Sequence, residues 1–123
     1  MVKGNLIWSD EFNNNGGPDQ GKWNTNTDCS LPGLGPGVGC GNDEKQYYKP
    51  SGNAVCNGGF LTITAKNENY QGMPYTSAKL ISRQVWRYGV FEARMKTPKG
   101  SGNCFMLKNR LQIYIYSLFL YFF

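Results

Sequence analysis

A chain of 123 residues holds one domain or part of one, and 16 glycines with 15% aromatic side chains point to many turns around a ring-rich core. The formal charge of +5 arises from 13 Lys and Arg against 8 Asp and Glu; the basic residues are scattered among acids, so no cluster of the nucleic-acid-gripping kind forms. Histidine is absent, which excludes a Ser–His or Cys–His nucleophile pair and any His-bound metal, and leaves catalysis to rest on carboxylates.

No long stretch repeats at helical spacing, and the elements are predicted as short strands. Leu6–Trp8 is an apolar run consistent with an opening strand. Asn13 to Asp19 is turn chemistry, since Asn and Gly tolerate positive φ and Pro presets its own. Trp23 follows as a buried anchor. Cys29, Cys40, Cys56 and Cys104 include no CxxC pair, which argues against zinc. A Cys29–Cys40 bridge would close the loop between them and lower its unfolded-state entropy; two unpaired thiols are the alternative. Gly33, Gly35, Gly37 and Gly39 alternate with other residues without a GxGxxG pattern, so this stretch is a pliable loop and not a phosphate cradle.

Ala54–Cys56, the turn Asn57-Gly58-Gly59 and Phe60–Ala65 together form the clearest hairpin signal, with Leu61, Ile63 and Ala65 on one face and Thr62 and Thr64 on the other. A further strand is expected over Ala78–Val85. Another is expected over Tyr88–Lys96, where Phe91, Ala93 and Met95 alternate with Glu92, Arg94 and Lys96. Burying Phe91 and Met95 there would contribute about 1.5–3 kcal/mol each. Pro98 to Gly102 ends it with a turn. Many short strands with Gly and Asn turns make a β-sandwich or jelly roll.

Four segments, in order, resemble glycoside hydrolase family 16, the group of laminarinases and lichenases: Leu6–Asn13 (LIWSDEFN), Asn42–Tyr48 (NDEKQYY), Tyr75–Ser82 (YTSAKLIS) and Tyr88–Gly102 (YGVFEARMKTPKGSG). The nearest likeness is to endo-β-1,3-glucanases. The resemblance implies an all-β fold, a partial concanavalin A-like jelly-roll sandwich whose cleft would take a β-glucan. It implies a retaining glycosidase, which needs two carboxyls about 5–5.5 Å apart, one protonated and one ionised. Family members carry that pair in an ExDxxE stretch some way after the Gly-x-Gly turn; no such stretch occurs here. Asp10–Glu11 and Asp43–Glu44 are adjacent residues and point to opposite faces of a regular strand.

The expectation is a family 16 domain, residues 5–103, truncated before its catalytic strand and inactive by itself, with no catalytic residue of its own. The alternative is a non-catalytic β-glucan-recognition domain. By resemblance Asn42, Glu44 and Lys79 are substrate-binding candidates; Lys79 stands where relatives often have Arg, which weakens planar two-point hydrogen bonding. Tyr47 and Tyr48 are candidates for a sugar platform or for simple packing. No cofactor is expected beyond a structural calcium, for which Glu11 is a weak candidate because its partner oxygens are not visible.

Residues 104–123 form an apolar tail unlike the rest. Its uncharged end from Ile113 is about half the length that spans a bilayer, so no transmembrane span is expected. A buried strand is one reading of the tail. The favoured one is aberrant sequence, because its Phe, Tyr, Ile, Leu, Lys and Asn bias is what A/T-rich non-coding DNA would encode. Family members are usually secreted, yet the first residues lack the apolar core of a signal peptide, leaving localisation and oligomeric state open.

Overall fold

The computed structural model describes residues 4–25 and 44–99 in full, and residues 103–109 and 113–119 as backbone. Among these residues there are nine strands and no helix: β1 (Trp23–Thr25), β2 (Gln46–Tyr48), β3 (Ala54–Asn57), β4 (Phe60–Ile63), β5 (Lys66–Tyr70), β6 (Met73–Ser77), β7 (Lys79–Ser82), β8 (Asn103–Asn109) and β9 (Ile113–Phe119). They form a four-stranded sheet of order β1-β7-β9-β8, a three-stranded sheet of order β2-β6-β5 and the two-stranded hairpin β3-β4. The fold is all-β and its sheets are not closed. No described helix is long and apolar enough to cross a membrane.

Turn chemistry sets the two tight hairpins. Gly58 and Gly59 sit at φ 58° and 79° between the paired Asn57 and Phe60, and positive φ at both loop positions is what a type I′ turn demands. The β5–β6 loop repeats that geometry with Gln71 at φ 50° and Gly72 at φ 81°, between Tyr70 and Met73. Gln at the first position is the poorer choice, since its Cβ crowds the left-handed backbone.

The core lies where the β3–β4 hairpin covers β1 and β7. Trp23, Ala54, Ala78 and Leu80 are its buried centre, with Trp8, Phe12, Leu61 and Ile63 packed on the flank. The expected alternation of Leu61 and Ile63 inward against Thr62 and Thr64 outward is present. Trp8 meets Trp23 edge-on at 5.5 Å and Trp86 at 5.2 Å, while Phe12 stacks on Trp23 at 6.1 Å. Trp23 is tied down at its polar end too: its indole N–H donates to Asp10 Oδ2 at 2.7 Å. Asp10 Oδ1 accepts from the Phe12 backbone N–H at 3.0 Å, in a local turn that holds Phe12 at φ 50°.

A buried amide joins the hairpin to the second sheet. Asn53 donates to the Thr64 carbonyl and to Thr76 Oγ1, and the Thr76 hydroxyl in turn donates to Glu68 Oε1 at 2.6 Å. Lys49 reaches the same Glu68 oxygen at 3.3 Å.

Three expectations need correcting. Leu6–Trp8 is not a strand: Leu6 and Ile7 are exposed, and Trp8 turns inward, where its ring packs on Trp23 and anchors the run. The strand expected over Ala78–Val85 is shorter, beginning at Lys79 and ending at Ser82. Tyr88–Lys96 is irregular and exposed throughout, with Phe91 36% and Met95 45% accessible, so the burial energy assigned to them is not realised. A strand needs an edge, and both edges of the preceding strand β7 are occupied, by β1 on one side and β9 on the other.

In the tail, β8 and β9 pair over seven positions from Asn103↔Phe119 to Asn109↔Ile113. The expected domain boundary at residue 103 thus falls at the start of β8. Cys29, Cys40, the glycine-rich loop and Asn42 lie outside the described residues, as do Gly100 to Gly102.

Candidate functional site

The polar cluster that collects the most chemistry lies at the start of β2. Residues 44, 46 and 48 alternate along the chain and so share one face, and all three are buried. Gln46 Nε2 donates to Glu44 Oε2 at 2.9 Å and to the Tyr48 hydroxyl at 3.0 Å, and the Tyr48 hydroxyl donates to the same Glu44 oxygen at 3.3 Å. The three side chains close a triangle around one carboxylate oxygen.

Parallel pairing of β2 with β6 places Tyr48 opposite Ser77, two residues before Lys79 on β7. The Lys79 ammonium consequently stands 5.8 Å from the centroid of the Tyr48 ring, where the ring's negative face attracts it. Burial pushes the Glu44 carboxyl above its ordinary pKa. The Tyr48 hydrogen bond, the Lys79 charge and the Gln46 hydrogen bond pull the other way without overcoming it. Glu44 is thus a carboxyl held by two donors and one cation at the wall of the second sheet. Such a group can accept hydroxyl protons or, when protonated, donate one.

Hydrolysis with retention needs a second carboxyl about 5–5.5 Å from the first. Among the described residues none of the groups that hold Glu44 is a carboxylate. The other acids described are spoken for differently. Asp10 holds Trp23 and Lys22, and Glu68 binds Thr76 and Lys49 and has its pKa lowered chiefly by the Thr76 hydroxyl. Glu92 belongs to the irregular, exposed stretch after β7.

The structure brings Glu44 and Lys79 together; Asn42 lies outside the described residues. The tyrosines do not make an open platform: Tyr48 is buried, and Tyr47 packs against Tyr70 at 5.0 Å. Gln46 was missed in the sequence, although its position two residues after Glu44 on one strand face was the signal available. Glu11 is exposed, on the opposite side of the chain from Asp10. Among the described residues no group of three or more Cys, Asp or Glu side chains could hold a metal ion.

No protein-family model matches the chain. It is 44% identical over 101 residues to a β-glucanase of Rhodothermus marinus, covering 79% of this chain and 32% of that protein. It is 34% identical over 102 residues to a glucan endo-1,3-β-glucosidase of Cryptopygus antarcticus, covering 77% of this chain and 34% of that one. Among solved structures it superimposes on the laminarinase from Rhodothermus marinus with a TM-score of 0.59 at 44% identity, over 68% of this chain and 32% of that one. On LamAcat from Zobellia galactanivorans the TM-score is 0.67 at 34% identity, over 80% of this chain and 39% of that one. The chain therefore spans about a third of the length of the relatives it matches.

Proposed function

From a chain related to the β-glucanases and laminarinases of glycoside hydrolase family 16 over part of their length, we propose that residues 1–123 form a partial glucanase-type domain that does not itself hydrolyse glycosidic bonds. Its lineage is that of retaining endo-β-1,3-glucanases acting on β-glucans. The observation that carries the proposal is the make-up of the Glu44 cluster: one carboxyl, an amide, a phenol and an ammonium, with no second carboxyl among its partners in the described residues. One carboxyl can orient a sugar hydroxyl. It cannot at once protonate a leaving group and attack the anomeric carbon.

A second reading, glucan recognition without turnover, is favoured by the same cluster, because the buried Glu44, Gln46 and Tyr48 remain assembled behind the half-buried Lys79, whose ammonium can donate to hydroxyls. Laminarin is the discriminating probe. Incubation of the purified chain is expected to release no reducing sugar, and oligosaccharide production abolished by Glu44→Gln would overturn the proposal. Laminarin binding lost in Lys79→Ala and strengthened in Lys79→Arg would establish recognition, whereas absence of binding in all three proteins would reject it.

A further inference from the structure

A two-residue turn fixes more than the bend of the β3–β4 hairpin. The residues flanking such a turn exchange hydrogen bonds, and bonded and unbonded pairs then alternate along the ladder. Counting from Asn57↔Phe60, the next bonded pair is Val55↔Thr62. The Thr64 N–H donating to the Asn53 carbonyl continues the series. The backbone groups of Cys56 on β3, and of Leu61 and Ile63 on β4, therefore point away from the ladder. On the β3 side this is seen directly, since Cys56 exchanges two hydrogen bonds with Gly16, at 3.0 and 2.7 Å. β4 has no counterpart of Gly16: among the described residues no strand lies on its outer side, where the N–H and C=O of Leu61 and Ile63 point.

We infer that this edge binds a second copy of the chain, the two β4 strands pairing antiparallel about a two-fold axis at Thr62 to make one four-stranded sheet.

The register follows from the outward groups. An identical strand turned end for end meets all of them only when Leu61 opposes Ile63 of the second copy and Ile63 opposes its Leu61. Two bonded pairs then form, and the four outward groups of each copy are satisfied. Thr62 opposes its own counterpart in the unbonded pair between them. The side chains agree with that register. Leu61 and Ile63, half-buried on the core side, meet each other across the axis, and the exposed Phe60 meets Thr64. Thr62 also stands beside the exposed Val55 of its own β3, so the outer face gains a row of four β-branched side chains.

Charge permits the same pairing. Residues 60–65 carry none, so no like charges are set face to face. Lys66 falls opposite Gly58 of the second copy, in the turn that acidic Glu11 runs beside, its carbonyl 3.8 Å from the Cβ position of Gly59. β5, an edge strand of the three-stranded sheet, is guarded by contrast: it carries Lys66 and Glu68, and its ladder shifts register between Asn67 and Tyr70. A two-stranded sheet is also the one that gains most from union, being marginal by itself in water. An edge of four residues falls short of the roughly 1,000 Å² expected of a stable dimer, so the association belongs to the weak, transient class.

The test is hydrogen exchange of the full chain over a dilution series, with mass followed by sedimentation. In dilute protein the amides of Phe60 and Thr62, bonded to β3, are expected to exchange slowly and those of Leu61 and Ile63 quickly. In concentrated protein the mass is expected to rise towards that of two copies, and the Leu61 and Ile63 amides to slow about tenfold or more. Thr62→Lys alters an exposed side chain and sets two ammonium groups face to face at the axis. It is expected to restore fast exchange and the mass of one copy. Thr62→Cys is expected to form a disulfide between copies under diamide, the two thiols passing two hydrogens to that reagent. Unbonded antiparallel pairs hold their Cα atoms about 4.5 Å apart, within disulfide reach. Exchange at Leu61 and Ile63 that ignores concentration, whether uniformly fast or uniformly slow, would overturn the inference. So would a dimer that survives Thr62→Lys, the lack of any mapped 62–62 bridge, or growth beyond two copies, since two-fold pairing leaves β4 no further edge.

Discussion

Replacing Tyr48 with Phe removes one oxygen and leaves a ring that is 1% exposed in place. That oxygen has two tasks: it accepts from Gln46 Nε2 at 3.0 Å and donates to Glu44 Oε2 at 3.3 Å. When Glu44 is ionised the second bond is charge-assisted, and losing it costs about 1.5–3 kcal/mol; when Glu44 is protonated the loss is that of a neutral bond, about 0.5–1.5 kcal/mol. The direction with pH follows from linkage. Burial raises the folded pKa of Glu44 above its unfolded value, so the folded state holds this proton more tightly. Its contribution to stability is then fully favourable below the unfolded carboxylate range. It declines as pH rises towards the raised pKa and is constant above it. Tyr48 is the largest of the groups opposing that rise, and in Tyr48→Phe the pKa moves further up and the decline extends over a wider interval. Urea unfolding of both proteins, at a pH of about 3 and at one well above the raised pKa, isolates the effect because Glu68 and the other acids titrate alike in each. The loss on mutation is expected to be larger at the higher pH, with unchanged m-values. An equal loss at both pH values would refute the bond between phenol and carboxylate, and so the cluster on which the site is built.

Leu80→Ala truncates a fully buried core residue shared by β7 and the β3–β4 layer, and is expected to lower stability by about 2–5 kcal/mol in the same assay. Gln71→Asn places a residue that tolerates left-handed backbone at φ 50° and is expected to stabilise the fold by a few tenths of a kcal/mol, read as a higher urea midpoint with no change in m. Glu68→Gln removes a carboxyl whose pKa the Thr76 hydroxyl lowers. The wild-type contribution is present above the unfolded carboxylate range and is lost as pH falls through the folded pKa. The variant should therefore show a shallower loss of thermal stability on acidification.

Hairpin chemistry was the most legible layer of this chain. Asn57-Gly58-Gly59 between alternating segments specifies a type I′ turn from local backbone sterics alone, and the structure has it, with Leu61 and Ile63 facing the core as their spacing requires. Trp23 was recognisable as an anchor for a similar reason, since a ring of that size beside a turn is costly to leave in water. Glu44 and Lys79 were visible through resemblance, while Gln46 and the tyrosine hydroxyl that complete their cluster depend on which strand face turns inward.

What local sequence cannot carry is the ownership of an edge. Residues 88–96 have a strand's alternation, and by periodicity alone they are a stronger strand than Lys79–Ser82. The backbone donors and acceptors of a strand are satisfied only by a neighbour, however, and that neighbour is chosen among all segments of the chain at once. Composition and turn residues determined that this protein is all-β, where the β3–β4 hairpin bends and which side chains of that hairpin prefer burial. The tertiary structure decided that β9 lies against β7 and that 88–96 forms no strand, because a strand exists only where a neighbour takes up its backbone groups.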